Sequence, residues 1–169
     1  MYPEAYIQFL VQFHAYRDYF ECHEILEEYW KEHDFENRTS VWVGLIQTAV
    51  GLYHHRRGNE KGAVKIWAGA RRIIEKNTKR LFDLGVDAKS LLQLLEKHQS
   101  DAKYHRPFED MNLPLIDPDL INQCTAECER RSISWQHPSD MSDKQLVHRH
   151  ILRHQTAEPE KRLHQKRNI

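Results

Sequence analysis

The stretch VWVGLIQTAVGLYHHR, residues 41–56, constrains this chain more than any other. Between Val41 and Tyr53 only Gln47 and Thr48 are strongly polar. A helix that is apolar almost all round has to be covered by neighbours on most of its sides. The sequence therefore predicts a central, buried helix with other helices stacked around it. Gly44 and Gly51 fall along one side of it, so another backbone can approach closely there.

The flanking segments supply the covering helices. A first helix is expected from Pro3 to Tyr16. Proline suits a first turn, and Tyr6, Phe9, Leu10 and Phe13 form an apolar stripe. A second runs from Asp18, a plausible N-cap, to His33, with Cys22, Ile25, Leu26 and Tyr29 facing inward. The fourth spans Asn59 to about Asp83, where Ala63, Ile66, Trp67, Ala70, Ile73 and Ile74 recur at helical spacing. Gly85 stops it, and Asp87 caps a fifth with Leu91, Leu92 and Leu95 inward. Only six glycines and six prolines occur, and no segment sustains apolar–polar alternation. RDYFECHEILEEYW and RRGNEKGAVKIWAGA echo each other, Cys22 matching Ala63. The fold class read from this is all-α: a bundle of about five helices built from stacked antiparallel helical hairpins, plus a C-terminal helical extension. Residues 1–105 form the expected core domain, 106–116 a proline-containing linker, and 117–169 a helical, partly flexible extension. Within the extension, Asp117 and Pro118 read as a helix start, and one further helix is expected at about Asp143 to His154.

Charge and cysteine usage limit the function classes. The 25 basic and 25 acidic side chains balance, which argues against a generic binder of polyanions such as nucleic acid. No run of about 18 apolar residues exists to span a membrane, and the N-terminus lacks a basic signal-peptide region. Three cysteines do not make a disulfide framework, so a reducing, cytoplasmic setting is expected. The charge is nevertheless segregated. Residues 17–36 hold eight acidic and two basic side chains, and residues 54–80 hold nine basic and two acidic.

The chemistry-bearing residues gather on two helices. His23, Glu27 and Trp30 stand at i, i+4 and i+7, on one helical face. Gln47, Gly51 and His54 share that register on the next helix. Antiparallel packing sets Glu27 near Gln47 and His23 near His54. Read functionally, His23, Glu27 and His54 are three ligands for a divalent Zn, Mn or Fe ion with a fourth position open. That is the pattern of a metal-dependent hydrolase, with Glu24 as a base and Gln47 positioning water. HEILE is not the HExxH of zinc peptidases, because Glu27 replaces the second histidine. Read structurally, Gln47 must find partners in its apolar helix. Glu27 then accepts from Gln47 and His23, Trp30 packs above, and Gly51 admits the neighbouring helix. In that reading the chain is a non-enzymatic helical interaction module, binding a protein partner or a second copy through helical faces. The residues leave both readings open and assign no catalytic group.

The His-x₃-Glu-x₂-Trp pattern, in the context YFECHEILEEYW, is followed by GLIQTAVGLYHHRRGN and Gly62-Ala63. Together, over about residues 15–80, these resemble a bacterial and archaeal family, the domain of unknown function numbered 309. The resemblance implies a small all-α protein of stacked helices and a suggested metal-binding role for His23 and Glu27. It supplies no reaction or substrate. Outside that region, Cys124/Cys128 and His150/His154 at i, i+4 read as solvated side chains. Trp30, Trp42 and Trp67 read as core, and Trp135 as an anchor for the C-terminal part.

Overall fold

The computed structural model describes residues 1–152 of the chain, and these divide into two compact units after Ser139. The first unit is all-α, as the sequence predicts. Its helices are α1 (Glu4–Val11), α2 (Tyr19–His33), α3 (Val41–Arg56), α4 (Glu60–Lys76), α5 (Thr78–Asp83), α6 (Ala88–Lys103) and α7 (Pro118–Arg130). The caps follow the chemistry of the sequence. Asp18, Asn59, Asp87 and Asp117 each accept a backbone N–H of the first turn that follows. The long fourth helix is broken at Asn77, whose side-chain amide donates to the carbonyls of Ile73 and Thr39. That local bond competes with the helix ladder, and α5 begins again after it.

Helix α3 lies in the middle of a layer, with α2 on one flank and α4 on the other. Trp42 and Tyr53 meet Tyr29 and Phe20 of α2. Gly44 and Gly51 face Ile73, Ile74 and Trp67 of α4. At about 100° per residue these two sets lie ~180° apart around α3. The approach to α4 is close enough to require glycine. A Cβ on Gly51 would sit 2.0 Å from the Trp67 indole nitrogen. That nitrogen donates to the Thr48 carbonyl at 3.2 Å. Helix α6 then packs along α4, α1 along α2, and α7 along α1. Trp30, Trp42 and Trp67 are core, as expected. Cys124 and Cys128 are buried free thiols rather than solvated ones, because α7 turns them inward. Burial pushes the Cys124 thiol up to about 12.

One face of the layer is closed by residues 106–139, which carry Met111, Leu113, Leu120 and Cys124 into the main core. The closure is polar as well as apolar. Helix α1 continues through a wider π turn, Gln12–Tyr16, and ends at Arg17 in the left-handed region (φ 54°). From there the Arg17 guanidinium donates to the carbonyls of Met111 (2.8 Å) and His137 (2.7 Å) and to Asn112 Oδ1 (2.7 Å). Arg56 donates to the Arg17 carbonyl and to Ser139 Oγ, and its guanidinium lies over the Tyr19 ring. Asp110 accepts from Tyr19 and from both Ser139 groups. Burial works to raise the Asp110 carboxyl, but these bonds overcome it and hold it below the ordinary carboxylate range.

His14 fastens the same segment. Its Nδ1–H donates to the Leu10 carbonyl at 2.9 Å, and Nε2 accepts the Leu113 N–H at 3.0 Å. Its ring packs against Trp135, with centroids 4.5 Å apart and the planes tilted by 30°. Both bonds at once need a neutral ring with its proton on Nδ1. Burial lowers its pKa to about 3, and lowers that of His98 in α6 to about 4. The second unit is described as far as residue 152. It contains α8 (Lys144–Val147), capped by Asp143, and residues 149–152 are again helical. The end of the helix expected there, at His154, lies outside the described residues.

Both histidine pKa values are depressed below the unfolded value of about 6.5. Their contribution is complete above that pH and is lost as pH falls toward 4 and then 3. Stability should fall on acidification below about pH 6.5, by up to ~1.4 kcal/mol per pH unit for each ring. Urea unfolding at a series of pH values checks this, with a shallower slope expected for His14→Gln. A slope unchanged by that substitution would show that the buried ring does not titrate as described.

Candidate functional site

Within residues 1–139, the face of the layer opposite residues 106–139 is left open. Around α3, Leu45, Leu52 and Arg56 point to the closed side and are buried. Val43, Gln47, Val50, His54 and Arg57 form a stripe that is half-buried. On the α2 side this stripe is bordered by Phe20, His23, Glu27 and Lys31. On the α4 side it is bordered by Gly62, Ile66 and Gly69. The two glycines keep the α4 edge low, so the α3 stripe is not overhung by side chains from that side.

The sequence-derived constellation therefore does lie on one surface, though its contacts differ from those expected. His23 Nε2 meets a Glu27 carboxylate oxygen at 2.7 Å, and Lys31 Nζ meets the other at 2.6 Å. Glu24 approaches His23 Nδ1 at 3.3 Å. Glu27 is satisfied along its own helix. The Lys31 bond, helped by the charge of His23, lowers its pKa. Its side chain is 31% exposed, so this is a surface ion pair rather than a buried strut. Gln47 does not bond Glu27. Its side chain leans over Gly69, and its Oε1 is buried without a hydrogen-bond partner. The Nδ1 of His54 meets Arg57 and Asn59 at the turn into α4. Among the described residues, no group of three or more His, Cys, Asp or Glu side chains is arranged to hold a metal ion. Trp30 closes the end of α2, donating to the Asn37 carbonyl and packing on Phe35 and Arg38. Gly51 serves the Trp67 contact on the α4 flank.

Comparison with known proteins reaches the same surface. The profile of a family described as "Domain of unknown function (DUF309)" matches residues 6–66. The chain is also 45% identical over 156 residues to "Uncharacterized protein YpuF" of Bacillus subtilis (strain 168), covering 92% of this chain and 90% of that protein. The chain belongs to the DUF309 family. The matched residues run from α1 through α3 into α4, so the DUF309 match includes Phe20, His23, Glu27, Gln47, Val50 and His54. No solved structure matches the chain significantly. The DUF309 assignment brings no reaction with it. No helix of the described residues is long and apolar enough to cross a membrane.

Sequence reasoning missed the buried polar clamp of Arg17, Arg56, Tyr19, Asp110 and Ser139. Its members come from four separate segments, so no spacing rule links them. The one local sign was an arginine at each end of otherwise apolar stretches.

These geometries predict unequal losses from two isosteric changes. Glu27→Gln removes an exposed i, i+4 pair and should cost less than about 1 kcal/mol in urea unfolding. Asp110→Asn turns one of the oxygens that accept from Tyr19 and Ser139 into a donor facing them and should cost about 1–3 kcal/mol. Equal losses would mean that the His23–Glu27 face is a structural element after all.

Proposed function

We propose that this DUF309 protein is a non-enzymatic helical interaction module whose open α2–α3–α4 face binds another protein. The observation that carries the reading is the α3 stripe. Val43 and Val50 are half-buried apolar groups in the middle of the face, between an α2 edge with exposed Glu24 and Glu28 and an α4 edge with exposed Lys65, Arg72 and Lys76. A partner laid on the stripe would cover the valines and meet the charged edges on either side. His23, Glu27 and Lys31 then form the polar rim of an interface rather than its centre.

The reading is tested by placing a photoreactive benzophenone amino acid at position 50 in the full-length protein and irradiating cells. Discrete protein adducts are expected from position 50, and none from a control at position 92 on α6. Failure to form adducts from position 50 would overturn the module.

A second reading keeps one observation of its own. His23 and Glu27 are two adjacent ligands at i, i+4, as a divalent Zn, Mn or Fe site of a metal-dependent hydrolase would need in part. Two ligands are not a site, and the third, His54, directs Nδ1 to Arg57 and Asn59. Metal analysis of protein purified without chelators separates the readings. The interaction reading predicts the same content for wild type and His23→Ala. A stoichiometric metal lost on that substitution would favour the hydrolase.

A further inference from the structure

Resting on the interaction reading above, we infer that the partner covering the open face is a second copy of this chain, paired about a two-fold axis running parallel to α3. Three features of the face point to that occupant.

The first is the charge on its two edges. The α2 edge carries Glu24 and Glu28, and the α4 edge carries Lys65, Arg72 and Lys76, all exposed. Among the described residues Glu28, Lys65, Arg72 and Lys76 make no ion pair. An isologous contact must be complementary to itself. A two-fold axis in the interface along α3 lays the acidic α2 edge of each copy over the basic α4 edge of its partner. An axis across the helices would instead set acid on acid and base on base. The levels along α3 agree with the first arrangement. Phe20 stands beside Tyr53 and Tyr29 beside Trp42, while Gly69 stands beside Gln47 and Ile73 beside Gly44. Glu24 and Glu28 therefore lie at the heights of residues 65–76 on the other edge.

The second feature is the spacing of the stripe. The same axis brings the two α3 helices together in parallel. Val43, Gln47, Val50, His54 and Arg57 are separated by four, three, four and three residues. That is the a/d spacing of a parallel two-stranded pairing, with valine at 43 and 50 and polar residues at 47, 54 and 57, so the apolar contact is confined to the two valine levels. In this pairing Gln47 meets Gln47 of the partner across the axis.

The third feature is size. Helix α3 is roughly 24 Å long, and three helices spaced about 8–10 Å apart give a face of the extent that a stable interface buries on each side, about 800 Å².

Light scattering coupled to size exclusion tests the pairing on the full-length protein. The wild type should run at twice the 20.3 kDa chain mass. Reversing one edge, as Lys65→Glu with Arg72→Glu, or the other, as Glu24→Lys with Glu28→Lys, should halve that mass. Circular dichroism should remain unchanged in both variants. Mixing the two reversed proteins should restore the doubled mass, because both contacts are then opposite in sign. A monomeric wild type, edge variants that stay dimeric, or a mixture that stays monomeric would each overturn the pairing. Adducts from position 50 to a different protein would overturn the pairing while leaving the interaction module intact. The absence of any adduct would remove both.

Discussion

The contact between Gly51 and the Trp67 indole sets the spacing on which the other helices depend. It lets α3 and α4 approach until the indole rests on backbone, and it leaves no room for a side chain at position 51. The indole also ties the hairpin together through the Thr48 carbonyl, and its ring touches both His55 and His98. Helix α6 reaches the layer through this tryptophan. Because α4 is held at that distance on one flank and α2 on the other, α3 has two faces left. One is closed by residues 106–139, and the other is left open by the first unit.

The two faces differ in what covers them. On the closed side the clamp is heavily hydrogen-bonded. Arg17 meets carbonyls and Asn112, and Asp110 meets Tyr19 and Ser139. His14 uses both ring nitrogens at once. Such a network ties residues 106–139 to α1 and α3. On the open side the valines are half covered, between an acidic α2 edge and a basic α4 edge.

Much of this was legible in the sequence, because the strongest signals were local. The apolar run at 41–53 identified α3 as central. Asp18, Asn59, Asp87 and Asp117 marked helix starts, and the register of His23, Glu27, Gln47 and His54 placed those residues on one surface. The break at Asn77 was not legible, since it depends on a side-chain bond to Thr39 from a distant turn. Nor was the choice made by Glu27. Spacing shows which residues share a face, but not whether a carboxylate reaches across to Gln47 or along its own helix to Lys31. The clamp was hidden for the same reason: Arg17 and Asp110 are far apart in sequence, and only tertiary packing brings them together.

The account stands on the open face being covered in the assembled protein, and the valine methyl groups report that directly. In spectra taken with a soluble paramagnetic chelate, Val43 and Val50 should broaden in dilute solution and become shielded as protein concentration rises. Val86, in the core, should be shielded throughout. Equal broadening of Val43 and Val50 at every concentration, up to that of a fully concentrated sample, would contradict the account.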